Sequence, residues 1–292
     1  MSGPAAGVAH RAVRESFELT GAGGLPIRGE MLVVDGATHG VVLLHGFKGF
    51  FRGLFFPSLA ERIAAAGLNV VSYNCSGSGI GPDLVSFTES AAFGANSYGR
   101  ELYDLSLVMR HADASGWLGS RYGLFGHSRG GGIAALHAAG DDRVGALVTW
   151  ASISTVRRWT DDEMAAWRAR GHLDVVNTRT GQRFALGTRV LDEIERHGEG
   201  RLDITRAARR ITAPWLVVHG DADDTVLFAE GEQLAGAAPD AELFRIAGGT
   251  HTMNVAHGYT VPSPELLQAS ERTVHFLTEH LAEHLAEHLD AR

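Results

Sequence analysis

Ser128 stands in the run Gly126-His127-Ser128-Arg129-Gly130, the pattern G-x-S-x-G. A serine hydroxyl is a weak nucleophile until a neighbouring base takes its proton. The pattern gains meaning from its setting, because the apolar run Tyr122–Phe125 reads as a strand and Arg129–Ala139 as a helix. In such a strand–turn–helix, glycine on both sides spares the crowded turn two β-carbons, and the hydroxyl is pushed out above the sheet edge. The first N–H groups of the helix face the same space and favour negative charge there.

A serine nucleophile needs a histidine base and a carboxylate to orient it, both placed just after strands. The strand Trp215–His219 runs into Gly220-Asp221-Ala222-Asp223-Asp224-Thr225-Val226, which offers three aspartates. The strand Leu243–Ile246 runs into Ala247-Gly248-Gly249-Thr250-His251, and His257 close by is a rival base. Two backbone N–H donors must also hold the developing oxyanion. One belongs to Arg129, and the other comes from His45-Gly46-Phe47-Lys48-Gly49, the loop after the strand Val41–Leu44. His45 reads as a hydrogen-bonding prop for that loop rather than as a reacting group. Phe50, Phe51, Phe55 and Phe56 read as packing or as pocket lining. Lys48 and Arg52 are placed to face solvent or a negatively charged substrate, and Cys75 reads as a small hydrophobe.

The elements that must position these residues alternate. Strands are expected at Phe17–Leu19, Ile27–Val34, Asn69–Tyr73 and Ala146–Trp150. Helices are expected at Leu59–Ala66, Tyr98–His111 and Phe228–Leu234, with a long helix from about Pro264. Short β-branched apolar runs joined by helices predict an α/β fold, a mostly parallel sheet of about eight strands covered on both faces. Residues 154–208 break this rhythm. They carry many charges, Trp159 and Trp167, and a turn-like Asn177–Gly181 stretch, and they read as a small cap inserted into a core formed by 1–153 and 209–292.

The chain has 292 residues with a net charge of −8, which argues against a nucleic-acid surface. It contains no run of about 18 apolar residues and no signal-peptide core near its start. The single cysteine forbids an internal disulfide, and the cytoplasm is the expected location. His280, His284 and His288 recur one turn apart near the end of the chain and read as a solvated helix face.

Together the segments LLHGFKG (43–49), GHSRGG (126–131), VVHGDADDTV (217–226) and GGTH (248–251) resemble the α/β-hydrolase superfamily. The resemblance is greatest to its cinnamoyl/feruloyl esterase and dienelactone-hydrolase-like branch, over about residues 25–285. It implies Ser128 as nucleophile, His251 as base, Asp223 as acid, and Phe47 and Arg129 as the oxyanion N–H donors. It also implies an inserted cap after the strand that follows the nucleophile helix. Dienelactone hydrolases use cysteine, so Ser128 argues against that activity. The implied reaction is hydrolysis of a small-molecule carboxylic ester, aromatic or short-chain, with no metal or organic cofactor. The same residues also suit a peptidase, thioesterase, acyltransferase, perhydrolase or carbon–carbon hydrolase, and more remotely a binding protein on an inactive hydrolase scaffold.

Overall fold

The computed structural model describes residues 11–177 and 181–290, with side chains through Leu281. Its elements run β1 (Ala12–Thr20), β2 (Pro26–Val34), β3 (Gly40–Leu44), α1 (Phe56–Ala65), β4 (Asn69–Asn74), α2 (Ser90–Gly94), α3 (Tyr98–Ala114), β5 (Tyr122–His127), α4 (Arg129–Ala138) and β6 (Val144–Trp150). They continue with α5 (Asp161–Arg170), β7 (His172–Val176), β8 (Arg183–Gly187), α6 (Arg189–His197), α7 (Ile204–Ala208), β9 (Trp215–Gly220), α8 (Phe228–Ala237), β10 (Ala241–Ile246) and α9 (Pro264–Asp290).

Among the described residues, eight strands form one sheet in the order β1-β2-β4-β3-β5-β6-β9-β10. The β1–β2 and β2–β4 pairs are antiparallel, and every pair from β4–β3 to β9–β10 is parallel. The expected α/β sheet is therefore present. Strands β3 to β6 and β9 are buried along their whole length. Side chains alternate between two cores, as the pleat requires. Val41 and Leu43 join Phe125, Val148 and Trp150 beneath α1 and α9. Val42 and Leu44 join Leu124 and Leu147 beneath α3 and α4. No helix among the described residues is long and apolar enough to cross a membrane.

Local chemistry sets several helix starts. The Ser97 hydroxyl accepts from Arg100 N–H at the start of α3. Thr160 and Glu163 form a reciprocal capping box on α5, and Gly171 ends that helix at φ 82°. The stretch between β6 and β9 contains α5, a β7–β8 hairpin, α6 and α7. Sequence periodicity did not reveal the hairpin. The turn-like Asn177–Gly181 stretch falls between its two strands, and residues 178–180 lie outside the described residues. The stretch packs rather than dangles. Trp167 Nε1–H donates to Leu186 O at 3.0 Å, and Phe184 sits against Phe87 and Phe93. On α9, His280 packs on Phe276, while the side chains of His284 and His288 lie outside the described residues.

Helix α9 is locked to the sheet by one buried polar contact. Trp150 Nε1–H donates to Thr273 Oγ1 at 2.8 Å, with both side chains fully buried. Thr273→Val keeps the shape and removes the acceptor, leaving a buried N–H unpaired. We expect it to lower unfolding free energy by about 1–3 kcal/mol, read by urea denaturation. Unchanged stability would show that the contact carries no net energy.

Candidate active site

Ser128 sits between β5 and α4 with φ 56° and ψ −121°, a conformation that costs a side-chain-bearing residue about 1–3 kcal/mol. Its surroundings hold it there. Ser128 N–H donates to Trp150 O at 2.9 Å, and Ser128 O accepts from Gly131 N–H at 3.0 Å. A β-carbon on Gly126 would lie 2.4 Å from Gly130 O, and one on Gly130 would lie 2.5 Å from the carbonyls of Leu44 and His45. Those two positions have no space for a side chain, which explains the flanking glycines.

The expected base and acid meet. His251, in the loop after β10, places Nδ1 2.8 Å from Asp223 Oδ2, in the loop after β9. Asp223 Oδ1 accepts from the N–H groups of Thr225 and Val226 at 2.8 and 2.9 Å. Burial alone would raise the Asp223 pKa. The nearby His219 ring, the hydrogen bond and charge of His251 and the Val226 N–H outweigh it and hold the carboxyl well below the usual range. The competing acids are engaged elsewhere. Asp221 accepts from Arg245 Nε and Gly248 N–H, both at 2.7 Å, and Asp224 points outward. The rival base His257 stacks on Phe50 with ring centres 5.1 Å apart, while His251 holds the contact with Asp223.

The loop expected to supply an oxyanion donor lies against the serine: a β-carbon on Gly46 would stand 2.9 Å from Ser128 Cβ. Ser128, Arg129, Phe47 and His251 all line one cavity of about 670 Å³. Its walls also include Phe50, Phe56, Tyr98, Trp159, Leu173 and Val175. Lys48 lines it as well. Arg52 does not; it is paired with Glu30 and lines a neighbouring groove. Phe51 and Phe55 are core, and the Cys75 thiol is pushed up by burial and by the charges of Glu101 and Asp104.

Three histidines support this arrangement, two of which sequence reasoning missed. His127 Nε2–H donates to His251 O at 2.9 Å, with the two rings 4.7 Å apart. Burial, then the His251 charge, pull the His127 pKa down to about 3. His219, fully buried in β9, donates from Nε2 to Val226 O at 2.9 Å and stands 3.6 Å from Asp223 Oδ2. Adjacency to Ser128 was the only local signal for His127, and His219 offered none beyond its place at a strand end. His45 matches its expected role. Cys75 N–H donates to its Nε2 at 3.4 Å, so the ring proton sits on Nδ1, which donates to Gly46 O at 2.9 Å. Burial brings the His45 pKa to about 4.

The sheet order and the serine elbow define an α/β-hydrolase fold. The chain matches the prolyl oligopeptidase family over residues 58–284 and belongs to that family. Fold and family place it in the hydrolase class. A comparison with curated proteins finds no match. Among solved structures it is similar to the ferulic-acid-bound Est1E from Butyrivibrio proteoclasticus, at 18% identity and TM-score 0.69 over 91% of this chain and 99% of that one. It is similar to DcsB in complex with its substrate analogue, at 18% identity and TM-score 0.72 over 92% and 100% of the two chains. It is also similar to the monoacylglycerol lipase of Paleococcus ferrophilus, at 17% identity and TM-score 0.60 over 92% and 99%.

The buried imidazoles have a consequence for stability. The unfolded chain protonates His127 near pH 6.5, whereas the folded chain resists protonation down to about pH 3. Between those values the unfolded state binds more protons, so this stabilising contribution is complete above 6.5 and is lost as pH falls. Between pH 7 and 5 the parent should lose about 2 kcal/mol more than His127→Asn, measured by urea unfolding at each pH. Parallel pH curves for the two proteins would contradict the buried neutral ring.

Proposed function

We propose that this chain is a serine esterase that cleaves carboxylic esters through an acyl-serine intermediate. One observation carries the reading: Asp223 holds His251 at 2.8 Å, and His251 lines the same cavity as the strained Ser128 elbow. With Nδ1 bound to Asp223, His251 keeps Nε2 to take the Ser128 proton as Oγ attacks the ester carbonyl. Asp223 fixes the imidazole tautomer and stabilises the imidazolium. The N–H groups of Phe47 and Arg129 receive the oxyanion. His251 returns the proton to the leaving alcohol, then activates a water that releases the acid.

The aromatic lining supports an aromatic or short-chain acyl group, and the ferulic acid bound to Est1E is consistent with that choice. We read residues 154–208 as a cap over the site, because Arg158, Trp159 and Leu173–Asn177 line the cavity. A single buried cysteine suits a reducing compartment and so a cytoplasmic location.

The family's name favours a second reading, amide hydrolysis on the same residues. Matched p-nitrophenyl ester and p-nitroanilide substrates separate the two. The esterase reading expects turnover of p-nitrophenyl acetate and of ethyl hydroxycinnamates, with far slower anilide cleavage. Preferential anilide cleavage would overturn it. Ser128→Ala should lower kcat by about 10⁶ and Asp223→Asn by about 10⁴. Ester turnover at the parent rate in Ser128→Ala would remove the serine from the mechanism.

A further inference from the structure

Beside the residues proposed to hold the oxyanion lies a buried charge pair that the reaction does not use. Arg129 is 4% exposed, and its Nε stands 3.1 Å from Glu101 Oε1, an ion-pair separation whose alignment falls short of a hydrogen bond. Asn96 Nδ2 donates to the same Glu101 oxygen at 2.9 Å. The guanidinium carbon lies 4.0 Å from the centre of the Tyr98 ring and 5.3 Å from that of the Phe47 ring. Tyr98 is in turn tied down, its hydroxyl donating to Val156 O at 3.2 Å.

A buried guanidinium is expensive unless it is paired, and a desolvated cation gains most from an aromatic face. This cation lies over two such faces and against a carboxylate. The residues it joins are Phe47 and Arg129, whose main chains come from different elements, the loop after β3 and the first turn of α4. These are also the two residues whose N–H groups receive the oxyanion in the reaction above.

We infer that the Arg129 side chain is a positioning group, which clamps Phe47 to the start of α4 and so fixes the spacing of the two oxyanion donors. The inference rests on the acyl-transfer reading. Hydrogen bonds to the oxyanion strengthen as charge develops, so a loosened pair of donors lowers kcat while ground-state binding is kept. A group that instead held substrate through its buried Nη2 would act on KM. A group that only held the fold together would act on neither.

The test uses three variants of the full chain. Arg129→Met with Glu101→Gln removes both charges without stranding either one. Phe47→Leu removes the aromatic face and keeps the backbone donor and the ion pair. The third variant combines all three substitutions. With p-nitrophenyl acetate, the charge-free double variant should lose about 10-fold to 100-fold in kcat, with KM within about twofold of the parent. Affinity for an aryl trifluoromethyl ketone, which adds to the serine as a hemiketal, should weaken in parallel with kcat/KM. Phe47→Leu should show a smaller loss of the same kind, and the triple variant should lose little more than the double, because one contact is broken from both sides. Unchanged kcat, a loss confined to KM, or fully additive losses would overturn the clamp. Should the double variant not fold, Phe47→Leu alone decides: a fall in kcat at constant KM supports the clamp and an unchanged kcat overturns it. Parent turnover that does not depend on Ser128 would sink the acyl-transfer reading together with the clamp. Ser128-dependent turnover with unaffected variants would sink the clamp alone.

Discussion

Backbone crowding around Ser128 is the constraint on which the rest of the site depends. β5 and α4 meet so closely that Gly126 and Gly130 have main-chain carbonyls where a β-carbon would go. That close contact accompanies the φ of 56° at Ser128, a strained turn of the kind that lifts a side chain above the sheet edge. The sheet supplies the force. β3 and β6 flank β5 in parallel, so the end of β3 delivers the Gly46 turn to one side of the serine. On the other side the end of β6 delivers Trp150 O, which accepts the Ser128 N–H. A strained residue is affordable because two buried cores, one on each face of the sheet, hold its neighbours in place.

Charge is arranged around that turn with similar economy. Asp223 is kept ionised by donors from its own loop and from His251. His45 and His127 are kept neutral by burial, so each remains a fixed hydrogen-bond donor rather than a second titrating base. His251 is partly open to the cavity that Ser128 also lines. The Arg129–Glu101 pair adds no net charge, yet it sets a rigid planar group against the rings of Tyr98 and Phe47.

What could be read from the sequence was local. The runs Val41–Leu44 and Tyr122–Phe125 betray strands buried on both faces, and the glycines at 126 and 130 betray the tight turn. The preference for Asp223 over Asp221 and Asp224 comes from the family resemblance, because what distinguishes them is partners far along the chain. Arg245 takes Asp221 and His251 takes Asp223. The β7–β8 hairpin escaped notice because its strands are short and half exposed, and what buries it is Phe87 and Phe93 from well before it in sequence. The links from His127 to His251 and from Arg129 to Glu101 were hidden for the same reason: contacts between distant positions leave no periodicity.

The central claim is that Ser128 is made reactive by His251 within this cavity. Intact-mass and peptide mass spectrometry after treatment with a fluorophosphonate tests it most directly. The account predicts a single covalent adduct on the peptide containing Ser128, formed far more slowly in His251→Ala. A folded protein that takes up no label there, or labels equally fast without the imidazole, would contradict it.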